Sequence, residues 1–319
     1  MRYASIPGLD LPISRLIQGT LHLGREHAAD AAWALFDAAF ELGYNAFDTA
    51  VVYGRGSAES CLGSWLEQRG LRSRVAIIDK GCHPAGDVSR MNPRELERDL
   101  VGSLERLRSS YIDLYLLHRD DPAVPVGEIL GALNEQLARG RVRAFGASNW
   151  THQRIQEAHD YAKQHGLSSF AASSPGLSLA QALHSWPGCV CLHPGRDREA
   201  CAWYAETRLP LLAWSPIAGG FLSGRYSREN LAGFTAPGDR RVIEFYASEA
   251  NLLRLERLTA LARARGLSVG QLALAYVLNT PGDIFAVLGC HHRADLTDSV
   301  AALEVELTEA ELDVLSRLV

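Results

Sequence analysis

The chain has 319 residues, 47% of them apolar and 22% charged, so it can bury a large core and is not a disordered chain. Its net charge of −5 supplies no basic surplus to neutralise a phosphate backbone, which argues against nucleic acid as a partner. No apolar run reaches the roughly 18 residues of a membrane span, and the opening residues contain no apolar signal core, so neither a membrane nor a secretory route is expected.

Taken in chain order, the pattern alternates short apolar runs with amphipathic stretches. Residues 3–14 read as a hairpin turning at Pro7-Gly8. The short runs at 16–18, 46–48, 75–78, 112–117, 142–146, 170–173, 211–214 and 285–288 have the composition of strands buried on both faces. Helical periodicity fills 28–42, 57–67, 93–107, 126–138, 151–165, 198–207 and 250–265, with further helices at 269–278 and 308–318. Asn92-Pro93 predicts an N-cap followed by proline at the first helical position. Two long loops, 175–195 and 217–245, follow the sixth and seventh strands, and long loops in compact domains tend to be functional.

Over the first five units the strand starts are roughly 30 to 37 residues apart, the length of one βα unit. Eight such units make a (β/α)8 barrel, read here as a single domain over 1–319. The competing doubly wound sheet would place G-x-G-x-x-G after its first strand, but the segment from Gly19 to Gly24 does not match it. Six scattered cysteines (Cys61, Cys82, Cys189, Cys191, Cys201 and Cys290) contain no CxxC pair, and they suit a reducing cytoplasm better than a disulfide framework.

Barrel chemistry sits at the C-terminal ends of the strands. Strand two ends at Asp48 with Tyr53 in its loop, strand three at Lys80, strand four at His118, and strand five at Ser148-Asn149. Of 32 basic residues only Lys80 and Lys163 are lysine, so a lysine inside an apolar strand is a pointed choice. A buried ammonium needs a partner, and Asp48 is the nearest candidate by strand order. The ammonium is expected to lower the Tyr53 pKa, and His118 to polarise a carbonyl oxygen. That set makes a general acid for a developing alkoxide but contains no nucleophile, which points to hydride from a nicotinamide cofactor.

The segments Phe47-Asp48-Thr49-Ala50 with Tyr53-Gly54, Asp79-Lys80-Gly81, Asp113-Leu114-Tyr115-Leu116-Leu117-His118 and Gly146-Ala147-Ser148-Asn149-Trp150 closely resemble the aldo-keto reductase superfamily. Ala213-Trp214-Ser215-Pro216 and the glycine-rich stretch from Gly219 to Gly224 extend the resemblance over nearly the whole chain. It implies a catalytic tetrad of Asp48, Tyr53, Lys80 and His118, and NADP(H), with NAD(H) as the lesser alternative, bound without a Rossmann domain. It further implies that Ser148 and Asn149 hold the carboxamide and that Trp214 stacks on the nicotinamide. The stretch from Ile217 to Arg225, with Gly219, Gly220, Leu222 and Gly224, would cover the pyrophosphate. Gly19, Thr20, Asp48, Ser174, Ser215, Pro216, Gly289, His291, Asp295, Asp298 and Ser299 would complete the cofactor contacts.

This sequence departs from the family pattern in three places. Ser173-Ser174-Pro175 stands where many relatives carry Gln, Asp79 replaces the usual Thr before the tetrad lysine, and Gly289-Cys290-His291-His292 replaces a segment richer in Arg. Neutral imidazoles donate hydrogen bonds to a 2′-phosphate but add no charge, so only modest preference for NADP(H) is expected. Adjacent His291 and His292 diverge and have no third ligand nearby in sequence, so no metal site is expected.

His22, Tyr53, His83, His118, Arg119 and Trp150 form the expected substrate set, a polar rim with an aromatic wall. Such a rim favours a sugar, a keto-sugar or another polar carbonyl, with a broad aromatic aldehyde reductase as the alternative. A regulatory subunit of the same fold that binds cofactor with little turnover is the reading from a different functional class.

Overall fold

The structure is a computed structural model describing residues 1–23, 29–184 and 187–317. Gly24 and Ala28, and the expected helix end at Leu318, lie outside the described residues. The chain forms two compact units, one of residues 1–174 with 289–293, the other of 175–288 with 294–319.

In the first unit, β1 (Tyr3–Ala4) and β2 (Ile13–Ser14) make the expected antiparallel hairpin, with Tyr3 opposite Ser14. Gly8 takes φ +86°, a left-handed turn conformation that a side chain disfavours. Six parallel strands follow in sequential order: β3 (Leu16–Gly19), β4 (Ala46–Asp48), β5 (Ala76–Gly81), β6 (Ile112–Leu117), β7 (Val142–Ser148) and β8 (Ser173–Ser174). The helices between them are α1 (Ala29–Glu41), α2 (Ser57–Arg69), α3 (Pro93–Arg106), α4 (Val126–Ala138) and α5 (His152–His165), each packed beside the next. Asn92 caps α3 by accepting from the Glu95 backbone N–H at 3.0 Å, and Pro93 occupies the first turn.

All six residues of β5 and all six of β6 are buried, which is why these strands read as unbroken apolar runs. The two polar exceptions in β5, Asp79 and Lys80, point to opposite sides because side chains alternate along a strand. Aromatic packing of Phe36 and Trp65 on Phe47 presses α1 and α2 against β4.

The second unit carries β9 (Gly176–Leu177), β10 (Cys191–Leu192), β11 (Leu211–Trp214) and β12 (Ile284–Leu288), paired in parallel in the order β10-β9-β11-β12. Its helices are α6 (Arg198–Thr207), α7 (Pro237–Tyr246), α8 (Glu249–Arg265), α9 (Val269–Leu278), α10 (Arg293–Ala302) and α11 (Glu309–Ser316). Capping boxes at Ser268 and Thr308 open α9 and α11.

With six βα strands in one unit and β11 and β12 in the other, the fold is a (β/α)8 barrel preceded by a hairpin. Four elements differ from the sequence reading. β9 and β10 break up the expected 175–195 loop, α7 occupies the end of the expected 217–245 loop, and α10 follows the final strand. Pro237 at the start of α7 was the available signal, obscured by the Gly and Pro around it. No helix among the described residues is long and apolar enough to cross a membrane.

Candidate active site

Four side chains of the first unit meet at its strand ends. Lys80 Nζ donates to Asp48 Oδ2 at 2.5 Å and to the Thr49 carbonyl at 3.0 Å, and it stands 3.5 Å from the Tyr53 hydroxyl. Both partners of the ion pair are almost wholly buried, with 5% and 4% of their side chains exposed. Burial alone would discharge this ammonium, but the Asp48 carboxylate, through its charge and its hydrogen bond, outweighs it and raises the Lys80 pKa. The Thr49 carbonyl is a ligand of the ammonium that no residue pattern reveals, because it belongs to the backbone.

Tyr53 opens the short helical turn Tyr53–Gly56 after β4, half-buried, with its ring 5.9 Å from that of His118 and nearly perpendicular to it. The expected lowering of its pKa is corrected here. Loss of solvent around the phenol outweighs the pull of Lys80, so its pKa is raised. Tyr53 therefore holds its proton at neutral pH, as a proton donor must, and Lys80 moderates the cost of giving that proton up.

His118 is 7% exposed, and its Nδ1 has no hydrogen-bond partner among the described residues. Burial, followed by the positive charges of Lys80 and Arg119, holds its pKa well below 6.5. Leaving the lone pair rather than an N–H at the orphaned Nδ1 puts the proton on Nε2, the tautomer that donates a hydrogen bond to a carbonyl oxygen. A depressed imidazole pKa has a consequence for stability. The unfolded chain takes up a proton near pH 6.5 that the folded site refuses, so stability present above that pH is lost as pH falls below it. We expect a His118→Gln variant to show a shallower loss of denaturation midpoint between pH 7 and 5. Equal slopes for variant and parent would contradict a neutral His118.

Asp79, on the opposite face of β5, is fully buried, and burial together with Glu59 raises its pKa well above the usual carboxyl range.

The residues expected to hold the carboxamide are also built into the first unit. Asn149 leaves β7 at φ +63°, a conformation uncommon for a residue with a side chain, and donates to the His118 carbonyl at 3.1 Å and to Ser148 Oγ at 3.0 Å. Ser148 Oγ in turn donates to the Ser174 carbonyl at 2.9 Å. Thr20, fully buried next to Gly19 at the end of β3, has a hydroxyl with no partner among the described residues. An orphaned buried hydroxyl is what a polar ligand at this strand end would satisfy, so the donor set fits a carboxamide-bearing cofactor.

His22 and His291 approach each other with ring centroids 5.2 Å apart beside Gly289, and His291 and His292 are both exposed. Arg293 is turned to Glu41 at 2.7 Å in an ion pair more than half exposed on both sides.

One expected substrate residue falls differently. Trp150 is a correction: it is 0% exposed, packs on Phe170 and donates to the Arg119 carbonyl at 3.1 Å, so it braces the loop from beneath rather than walling a pocket. His83 remains partly exposed, perpendicular to His118 at 4.8 Å, and Arg119 donates to the His118 carbonyl at 2.8 Å. No cluster of three metal-ligating side chains occurs among the described residues.

In the second unit, Trp214 ends β11 and Ser215 follows at φ +52°, with Pro216 buried behind it. The turn through Ile217, Gly219, Gly220, Leu222 and Gly224 runs over a 3-10 segment in which Gly220 takes φ +95°. Asp239 of α7 fixes this turn, accepting from Arg225 at 2.9 Å and from Tyr226 at 2.6 Å, an anchor that sequence reasoning missed because α7 was missed. Asp298 accepts from Ser268 and Gln271 at 2.9 and 2.6 Å, and Ser299 donates to the Asp295 carbonyl at 2.7 Å.

Residues 15–319 match the aldo/keto reductase family, and the chain belongs to it. At 28% identity it is similar to the uncharacterized oxidoreductase YrpG of Bacillus subtilis, over 99% of this chain and 95% of that protein. It is also 28% identical to a probable voltage-gated potassium channel subunit beta of Oryza sativa subsp. japonica, over 96% and 92% of the two chains. A versiconal hemiacetal acetate reductase of Aspergillus parasiticus is 26% identical over 99% and 96%. Among solved structures, a glycerol dehydrogenase from Gluconobacter oxydans shares the fold at a TM-score of 0.80 and 24% identity, covering 98% of this chain and 93% of that one.

Proposed function

We propose that this member of the aldo/keto reductase family reduces an aldehyde or ketone to the alcohol, with Tyr53 as general acid and NADP(H) as the preferred cofactor. The single observation that carries the reading is the convergence of Asp48, Tyr53, Lys80 and His118 at adjoining strand ends. A nicotinamide cofactor supplies the hydride when bound. The chain's own part is to hold the carbonyl and deliver the proton. His118 Nε2–H donates to the carbonyl oxygen, Tyr53 passes its proton to that oxygen as charge develops, and the Lys80–Asp48 pair steadies the phenolate left behind.

Modest NADP(H) preference is supported by exposed His291 and His292 and by the exposed Arg293–Glu41 pair. Such a surface pair contributes little and yields readily to a phosphate. For the substrate, the polar groups His22, His83 and Arg119 favour a sugar, keto-sugar or similar polar carbonyl over a large apolar ketone.

The test is oxidation of NADPH and of NADH with a panel of aldoses, keto-sugars and nitrobenzaldehyde-type aldehydes. We expect turnover with NADPH favoured over NADH, and a higher kcat/KM for the polar carbonyls. If the aromatic aldehydes win and His83→Ala leaves both rates unchanged, the polar-substrate reading fails. Tight cofactor binding with no turnover on any carbonyl would instead favour a cofactor-binding subunit, a role suggested by the likeness to a probable channel subunit.

A further inference from the structure

The turn that carries Tyr53 is held in a shape that its own residues disfavour. Gly54 and Arg55 both take φ +57° and Gly56 takes φ +88°, three left-handed residues in succession. Arg55 has a side chain and is strained there, and such strain persists only where the surroundings over-determine it. The backbone of the turn supplies part of the restraint. The Tyr53 N–H donates to the Ala50 carbonyl at 3.0 Å, and the Arg55 N–H reaches the Val52 carbonyl only at 3.4 Å.

The rest comes from another helix. Arg106 is the last residue of α3, and its side chain lies on Gly56: a Cβ there would come within 2.6 Å of Arg106 Cδ and 2.7 Å of Nε. Both ends of Arg106 are fixed. The guanidinium donates from Nε to Glu59 Oε2 at 2.7 Å and from Nη2 to Oε1 at 3.3 Å, a two-pronged pair with a wholly buried carboxylate. The backbone end meets α2 at Gly63, where a Cβ would come within 2.6 Å of the Arg106 carbonyl oxygen. Glu59 stands in the first turn of α2, three residues beyond Gly56.

The pair also reaches the back of the strand that carries Lys80. Asp79 precedes Lys80 in β5, and after burial the Glu59 carboxylate acts most strongly on its carboxyl. One ion pair therefore touches the Tyr53 turn on one side and neighbours the Lys80 strand on the other.

From these contacts we infer that Arg106, held by Glu59, is a positioning residue for proton donation: laid against Gly56, it fixes the turn and so sets the 3.5 Å separation of the Tyr53 hydroxyl from the Lys80 ammonium. The inference rests on the reading of Tyr53 as general acid. A contact of 3.5 Å lies at the outer limit of a hydrogen bond, where a small retreat of the turn removes it. The other groups that act on the phenol are Asp48 at the end of β4 and, after β6, Arg119 and the ring of His118. All of them remain in place when the ion pair is replaced.

Arg106→Gln combined with Glu59→Gln removes one positive and one negative charge together and strands neither, so a change at the phenol reports geometry rather than net charge. We expect kcat for carbonyl reduction to fall about 10- to 100-fold, the effect of misplacing a reacting group, with cofactor affinity unchanged. The Tyr53 phenol, followed by NMR of Cζ-labelled tyrosine and assigned by its loss in Tyr53→Phe, should titrate at higher pH than in the parent. Arg106→Lys keeps a counter-charge for Glu59 but loses the planar fork. It should hold the thermal midpoint near the parent's while still lowering kcat and raising the titration, and it decides alone if the double variant does not fold. The inference is overturned if Arg106→Lys, or the folded double variant, shows the parent's kcat and the parent's phenol titration. The titration is read without turnover. A fully active Tyr53→Phe would sink the general-acid reading and leave the titration shift to report the positioning by itself, so the two readings fail separately.

Discussion

Tyr53→Phe is expected to lower kcat for carbonyl reduction by about 10²–10⁴-fold, the usual reach of a lost general acid. Cofactor affinity and folding stability should stay near those of the parent. The reason lies in how the hydroxyl is held. Its contact with Lys80 is 3.5 Å, at the outer limit of a hydrogen bond, so removing it costs the fold little. Its proton has no ready substitute, because burial keeps the neighbouring imidazole of His118 from carrying a charge. The raised phenol pKa adds a pH signature. Reduction needs the phenol and persists through the neutral range, whereas alcohol oxidation needs the phenolate and should rise towards alkaline pH. Steady-state rates in both directions, with cofactor binding followed by fluorescence quenching, test this. If Tyr53→Phe reduces its best carbonyl at the parent rate, another group donates the proton.

Lys80→Met is expected to be as damaging to turnover and, unlike the tyrosine change, to destabilise the fold by about 3–5 kcal/mol at neutral pH. The ammonium is nearly inaccessible and joins Asp48, the Thr49 carbonyl and Tyr53. Deleting it leaves a buried carboxylate with no counter-charge. Because the folded-state pKa of Lys80 is raised, the lysine's contribution is fully present below the unfolded value of about 10.4 and is lost as pH climbs through the folded value, whereas burial holds the Asp48 carboxyl above the usual carboxylate range, so the pair also requires a pH at which Asp48 is ionised. The deficit of Lys80→Met should therefore be visible at pH 7. Adding Asp48→Asn to Lys80→Met should recover much of the stability and none of the activity, since the amide removes the stranded charge. A double variant no more stable than Lys80→Met in denaturant titrations would show that the loss comes from packing instead.

The spans of β4 (Ala46–Asp48), β6 (Ile112–Leu117), α4 (Val126–Ala138) and α9 (Val269–Leu278) coincide with their sequence readings. Apolar spacing and end signals are local properties that a string of residues carries in full. The grouping of Asp48, Tyr53, Lys80 and His118 was legible for a related reason. The βα rhythm placed Asp48, Lys80 and His118 at successive strand ends, and a lysine in an apolar run of a chain almost without lysine drew attention to itself.

What the tertiary structure alone decided concerns solvent and competing partners. It reversed the direction of the Tyr53 shift, because the loss of water around a phenol is set by every element packed near it and outweighs one ammonium. It moved Trp150 into the core beside Phe170 and turned Arg293 to Glu41. It committed Asp298 to Ser268 and Gln271. A residue's type states which bonds and charges it can offer. Which of them are already spent depends on neighbours brought together by packing from distant parts of the chain, and that is not written in local sequence.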